Sequence, residues 1–186
     1  MASQRSKILG YIRLALVYLF VAILVWFSTP TPRLFAVGAL IVLLGEAVRI
    51  WAAGHLVKSL ELIDSGPYAF TQNPLYLGRL MILTGFCVMA RSRWYLNWVA
   101  LAVGYAVFFG YYIPRKLRVE GARLQKMHGA SFTQYNSAVP ILLPSLRRYP
   151  GMRSPWSFGR AVRNQEYLVL TGVLLVLAFF AWKTWA

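Results

Sequence analysis

Apolar residues in this chain run in long blocks instead of recurring every three or four positions, the spacing of a helix with one face in a soluble core. Five blocks stand out: 8–28, 34–53, 74–90, 94–113 and 167–186. Each approaches the roughly 20 residues that a helix rising about 1.5 Å per residue needs to cross a hydrocarbon core of about 30 Å. Lipid offers no partner for a free backbone N–H or C=O, and a helix pairs these groups internally. The pattern therefore predicts an all-α, polytopic integral membrane bundle of about five transmembrane helices, with 1–186 as a single membrane domain. Thr29-Pro30-Thr31-Pro32 ends the first block, since proline supplies no backbone donor. Arg91-Ser92-Arg93 separates the third block from the uncharged fourth, a spacing that suits a hairpin. Lys183, near the end of the fifth, is placed to reach the headgroups along its own stem.

Composition agrees with this reading, and charge adds an orientation. In a soluble protein a net charge of +15 would suggest nucleic acid. Here half of the 20 basic residues fall in one polar segment, 114–166: Arg115, Lys116, Arg118, Arg123, Lys126, Arg147, Arg148, Arg153, Arg160 and Arg163. The positive-inside bias makes that segment cytoplasmic and removes the need for a nucleic acid partner. Counting back through five spans places the N-terminus, with Arg5 and Lys7, and the polar segment 54–73 on the same side. The first block is longer than the apolar core of a signal peptide and lacks a small-residue cleavage pattern, so it is expected to be retained. Cys87 is the single cysteine, which excludes an intramolecular disulfide.

Two polar segments on one face need a reason. In the first, Gly66-Pro67 signals a turn, and Pro74 suits the first turn of a helix, where its missing N–H is not needed. The third span then starts with free N–H groups aimed at the cytoplasm, a seat for a carboxylate or phosphate or an ordinary capped end. Gly78, one turn on, leaves room for a flat group or another backbone. In the second segment Leu117, Glu120, Leu124 and Met127 recur at helical spacing, which predicts a cytoplasmic extension of the fourth helix ending at Gly129. Glu120 is the only acid between Asp64 and Glu166; it either pairs with Lys116 or Arg123 or faces a ligand. Glu46 and Arg49 share one face of the second span, where ionisable groups are costly unless paired or lining a wet cavity. His55 and His128 are isolated, and no His/Cys/carboxylate cluster has ligand spacing, so no metal is expected.

Gly66-Pro67-Tyr68, followed by Asn73-Pro74-Leu75-Tyr76-Leu77-Gly78, resembles the G-x-Y and R-H-P-x-Y-x-G motif of isoprenylcysteine carboxyl methyltransferases and related phospholipid methyltransferases. Glu120-Gly121-Ala122-Arg123-Leu124, His128-Gly129, Tyr135 and Val139-Pro140 are similar to the family's second motif, in order and at compatible spacing. The resemblance covers roughly residues 45–145. It implies S-adenosylmethionine bound at the cytoplasmic face, with Tyr68, Asn73, Pro74, Tyr76, Leu77 and Gly78 on one side and Glu120, Leu124 and Tyr135 on the other. It also implies Arg49, Asn73 and Arg79 nearest the chemistry, and a lipophilic or small hydrophobic acceptor arriving from the bilayer.

Three positions depart from the family's pattern: Gln72-Asn73 stands where Arg-His is usual, Gly121 where a second Glu is usual, and Arg79 where Glu is frequent. Asn73 cannot titrate, which removes a histidine base and favours a carboxylate acceptor, held by Arg49 or Arg79, over the amine of a phospholipid headgroup. Methyl transfer is an in-line displacement that positioning can drive, so the departures leave it possible. Two other readings stand beside it: a membrane reductase of the sterol or steroid type using NADPH, and a non-catalytic membrane scaffold that keeps the fold.

Overall fold

The computed structural model describes residues 19, 22–23, 25–57, 62–92, 94–151 and 154–186. Most of the first predicted span, 8–28, lies outside the described residues, as do Arg5, Lys7, Arg13, Arg93, Arg153 and the stretch 58–61. The described residues build helices and no strand; an isolated bridge joins Ser28 to Ser92.

Helix α1, Pro32–His55, opens on a proline, and the Thr31 hydroxyl accepts the Leu34 N–H at 3.4 Å as its cap. Helix α2, Pro74–Met89, starts the same way. Helix α3, Leu96–Val107, continues past 113, as the expected extension of the fourth span requires. It runs on through a π turn at Phe108–Tyr112, an α turn at Ile113–Lys116 and a second π turn at Leu117–Gly121 into α4, Ala122–Ala138. Pro114 lacks the N–H of a regular helix, and the wider π turns on either side let the chain continue past it. Gly129, the predicted end, breaks the helix with φ +49°, a conformation that favours glycine, and a second helical stretch follows to Ala138. A short helix α5, Phe158–Arg163, precedes α6, Glu166–Trp185.

Among the described residues three helices are long and apolar enough to cross a membrane: α1, the 43-residue run Leu96–Ala138, and α6. The chain is thus a helical membrane protein. At 16 residues α2 spans only about 24 Å. Leu40, Leu43, Val99, Val103, Leu174 and Leu175 point outward from these helices, as side chains facing lipid do.

Small residues bring α1 and α2 together. Gly38 and Gly45 on α1 meet Gly85 and Gly78 on α2, two contacts seven residues apart on each helix. A Cβ on Gly78 would lie 2.6 Å from the Gly45 carbonyl and would run into the Arg49 stem, so backbone approaches backbone there. Next to this seam, Val42, Met89, Ala90, Val173 and Phe180 form the apolar core between α1, α2 and α6. Asn97 closes the α2–α3 hairpin, its amide donating to the Cys87 carbonyl at 3.0 Å. Lys183 does not reach for headgroups as expected. It donates to the carbonyls of Val25 and Trp26 at 2.9 and 2.6 Å, satisfying acceptors just before the turn at Phe27 and Ser28.

Candidate functional site

The segment after α4 folds back onto the turn before α2, and backbone groups that neither helix can satisfy join them. Gln72 donates from its backbone N–H to the Pro140 carbonyl at 2.9 Å and from its side chain to the Val139 carbonyl at 2.6 Å. Asn73 donates to the Ile141 carbonyl at 2.7 Å, and Thr71 to that of Leu142 at 2.9 Å. The Tyr135 hydroxyl donates to the Tyr68 carbonyl at 2.8 Å. Gly66 turns the chain into this region with φ +58°, its Cα facing the His55 ring.

Between the joined segments lies a cleft of about 850 Å³, within the range of sites that hold small organic ligands. The first turn of α2 forms one wall with Asn73, Leu75, Tyr76 and Arg79. The second π turn and the start of α4 form the other with Lys116, Leu117, Glu120, Gly121 and Leu124. A π turn adds a residue to the helical repeat, so residues a regular helix would splay apart face the same cavity, an arrangement frequent at functional sites.

Charge in the cleft is mostly positive. Lys116 donates to the Asn73 side-chain oxygen, pairs with Glu120 at 3.2 Å and lies 5.0 Å from the centre of the Tyr76 ring. The Arg79 guanidinium lies 5.5 Å from the centre of the same ring. Arg123 adds a third cation to the lining, against the single carboxylate of Glu120. The Tyr68 hydroxyl is buried at the cleft without a hydrogen-bond partner among the described residues. Burial raises its phenol above the ordinary value, so it is a neutral donor at physiological pH.

Beneath the cleft, Arg49 ties three elements together. Its Nη2 meets Glu166 Oε1 at 2.7 Å, its Nη1 donates to the Leu75 carbonyl at 3.4 Å, and Glu46 Oε2 stands 3.7 Å from its Nε. The close partner is thus Glu166, at the start of α6, and not its helical neighbour Glu46. The segment after α4 braces the end of α1 from outside: Arg160 and Asn164 donate to the carbonyls of Gly54 and Ala53 at 2.8 and 2.9 Å.

Of the residues the sequence singled out, Tyr68, Asn73, Pro74, Tyr76, Arg79, Glu120, Leu124 and Tyr135 line the cleft. Leu77 and Gly78 do not; Gly78 is spent on the contact with α1. Arg49 sits below, reaching the cleft only through Leu75. Sequence reasoning missed the bridging role of Lys116 and the pairing of Glu166 with Arg49. The second had one visible signal, an acid at the mouth of an apolar span. Among the described residues no three His, Cys, Asp or Glu side chains form a metal-holding group.

No family model matches the chain. No solved structure matches it. Its relatives carry names of metal resistance. The cobalt-zinc-cadmium resistance protein CzcN of Cupriavidus metallidurans is 28% identical over 152 residues, which is 78% of this chain and 67% of that protein. The nickel-cobalt-cadmium resistance protein NccN of Alcaligenes xylosoxydans xylosoxydans is 29% identical over 123 residues, 65% of this chain and 53% of that protein. The chain thus spans about two thirds of the first relative and about half of the second.

These names overturn the expected membership in the isoprenylcysteine and phospholipid methyltransferases, the methyl transfer it implied, and the expectation that metal plays no part. The structure gives a physical reason why the motifs misled. The Asn73 side chain is taken by Ile141 and Lys116, the Tyr135 hydroxyl by Tyr68 and Gly78 by Gly45. The resembling residues join two segments and two helices, work that a membrane bundle can require whatever its function.

Proposed function

We propose that this chain is a membrane component of resistance to divalent transition metals of the kind its relatives are named for, and that it works through the cleft between α2 and the π turns. The observation that carries the reading is the cleft itself. Two polar segments, far apart in sequence, are bonded together around a cavity with a positive, aromatic lining. In a metal-sensitive host, expression should raise the concentration of cobalt, zinc, cadmium or nickel that permits growth. Growth equal to that of the empty vector with all four metals, despite membrane-inserted protein, would reject the reading.

Five crossings are part of the same proposal, with α2 and the 8–28 block joining the three long helices and the cleft facing the cytoplasm. The basic residues around the cleft and after α4 support that side. Single cysteines at Gln72 and Ser145 in a Cys87→Ser background should react with a membrane-impermeant maleimide only in inverted vesicles.

S-adenosylmethionine is the small molecule we propose for the cleft, with Lys116 and Arg79 suited to its carboxylate and Glu120 and the Tyr76 face to its cationic groups. Binding, and no particular reaction, is proposed. At about 100 times its dissociation constant it should stabilise the protein by about 2.7 kcal/mol in a detergent melting experiment. An unmoved melting temperature at saturating ligand would remove it.

A further inference from the structure

Arg49 has two carboxylates and one charge to share between them. Glu166 Oε1 stands 2.7 Å from Nη2, and Glu46 Oε2 stands 3.7 Å from Nε. These two nitrogens form one edge of the guanidinium, so both acids meet the same edge. The Glu166 contact is a close ion pair. At 3.7 Å the Glu46 contact is too long for a hydrogen bond.

Both Glu46 oxygens are buried with no hydrogen-bond donor among the described residues, and so is the Nε of Arg49. The Glu46 and Arg49 side chains are each only 3% exposed. One cation against two anions leaves a full negative charge inside the bundle. A buried carboxylate without a cation or donors of its own is among the costliest groups a protein interior can hold, and taking up a proton is how such a group escapes the cost.

Among the described residues no other charge around Glu46 is close enough to balance it by contact. On α1 its partner is Arg49, and on α6 Glu166 adds to the negative charge. On α2, Arg79 turns to the cleft and lies against the Tyr76 ring. The turn before α2 presents Tyr68, a neutral phenol. On α5, Arg160 is bonded to carbonyls at the end of α1 and in the loop before it.

We propose that Glu46 holds a proton at neutral pH, making the Glu46–Arg49–Glu166 cluster a proton-binding site within the membrane bundle. The proton leaves Arg49 to Glu166 alone and so fixes the guanidinium whose Nη1 holds the Leu75 carbonyl, part of the cleft wall. Loss of the proton would set a second anion on the Nε edge and pull Arg49 away from Leu75. The cluster is thereby a place where a proton and the cleft can sense one another. The inference does not depend on what the cleft binds.

The chain has only five Asp and Glu residues, which makes infrared spectroscopy of the carboxyl groups tractable. The full chain in nanodiscs at neutral pH should show the C=O stretch of one protonated carboxylic acid, shifted in D2O. Glu46→Gln should abolish that band and keep the wild-type melting temperature, because an amide has the shape of the neutral acid. Glu166→Gln removes the competing anion and frees Arg49 for Glu46, so the band should weaken there too, but with a lowered melting temperature. Absence of the band in the wild type, or its survival in Glu46→Gln, would overturn the proposal.

Discussion

Replacing Gly78 with alanine tests how the membrane bundle is held together and what that glycine is for. The added methyl would lie 2.6 Å from the Gly45 carbonyl, roughly 0.8 Å inside the 3.4 Å at which ordinary contact begins. It would also strike the Arg49 stem. A backbone oxygen cannot swing away as a side chain can, so the cost belongs near the top of the roughly 1–3 kcal/mol range for overpacking. Alanine's advantage over glycine inside a helix returns about 1 kcal/mol, leaving a net loss of about 2 kcal/mol. For a chain of this size that lowers the melting temperature by about 4–8 °C. The assay is thermal unfolding in detergent without ligand, beside Gly172→Ala on α6, where a Cβ meets nothing within 4 Å. Gly172→Ala should melt at the wild-type temperature or above it. If Gly78→Ala also did so, the close seam between α1 and α2 would be wrong, and Gly78 would be free to face a ligand after all.

Four further outcomes follow from the contacts. Glu166→Ala leaves the buried Arg49 guanidinium only Glu46, 3.7 Å from its Nε, and should cost about 1–3 kcal/mol, read as lost thermal stability, whereas Glu120→Ala, at a half-exposed pair, should cost under about 1 kcal/mol. Asn73→Ala cuts the link to Ile141 and to Lys116, so hydrogen exchange should quicken across 139–149 while α1 and α6 stay protected. Lys183→Met takes the ammonium donor from the Trp26 carbonyl, while the Val25 carbonyl keeps the Ser28 hydroxyl at 2.6 Å, and should lower stability by about 1 kcal/mol. Burial raises the Tyr68 phenol, so the native state resists its ionisation more than the unfolded chain does. Stability is therefore whole below about pH 10 and falls as pH climbs above it, and Tyr68→Phe should flatten part of that alkaline loss.

Much of the architecture was legible because lipid imposes it. The predicted blocks 34–53 and 167–186 became Pro32–His55 and Glu166–Trp185, since length and continuous apolarity suffice to write a spanning helix. The proline start of α2 was equally readable, whereas Pro32, read as part of the stop after the first block, opens α1. Past residue 113 the helical spacing of Leu117, Glu120, Leu124 and Met127 read the extension, but not the π turns that build it. Pro114 looks like a boundary to any rule based on regular helices, and only the π turns around it carry the helix on. The site was partly visible: the α2 start and the segment around Glu120 stood out as polar chemistry beside apolar spans. Their bonding through Gln72, Asn73 and Tyr135 is long-range and leaves no periodic trace. The pairing of Arg49 with Glu166 was hidden for the same reason, because the nearer acid in sequence, Glu46, is the farther one in space. Function was the least legible level. Short motifs record local geometry, and here that geometry serves chain joining in a protein whose relatives are named for metal resistance.

Filling the cleft tests most directly whether it is the working part of a metal-resistance protein. Gly121 lines the cavity, and a Cβ placed there meets nothing within 4 Å, so Gly121→Trp can occupy the space without disturbing the seam or the ion pairs. In a metal-sensitive host the variant should insert into the membrane at wild-type level, melt at the wild-type temperature and lose the growth advantage on cobalt, zinc, cadmium or nickel. Full metal tolerance from a folded Gly121→Trp protein would contradict the account and move the function elsewhere on the molecule.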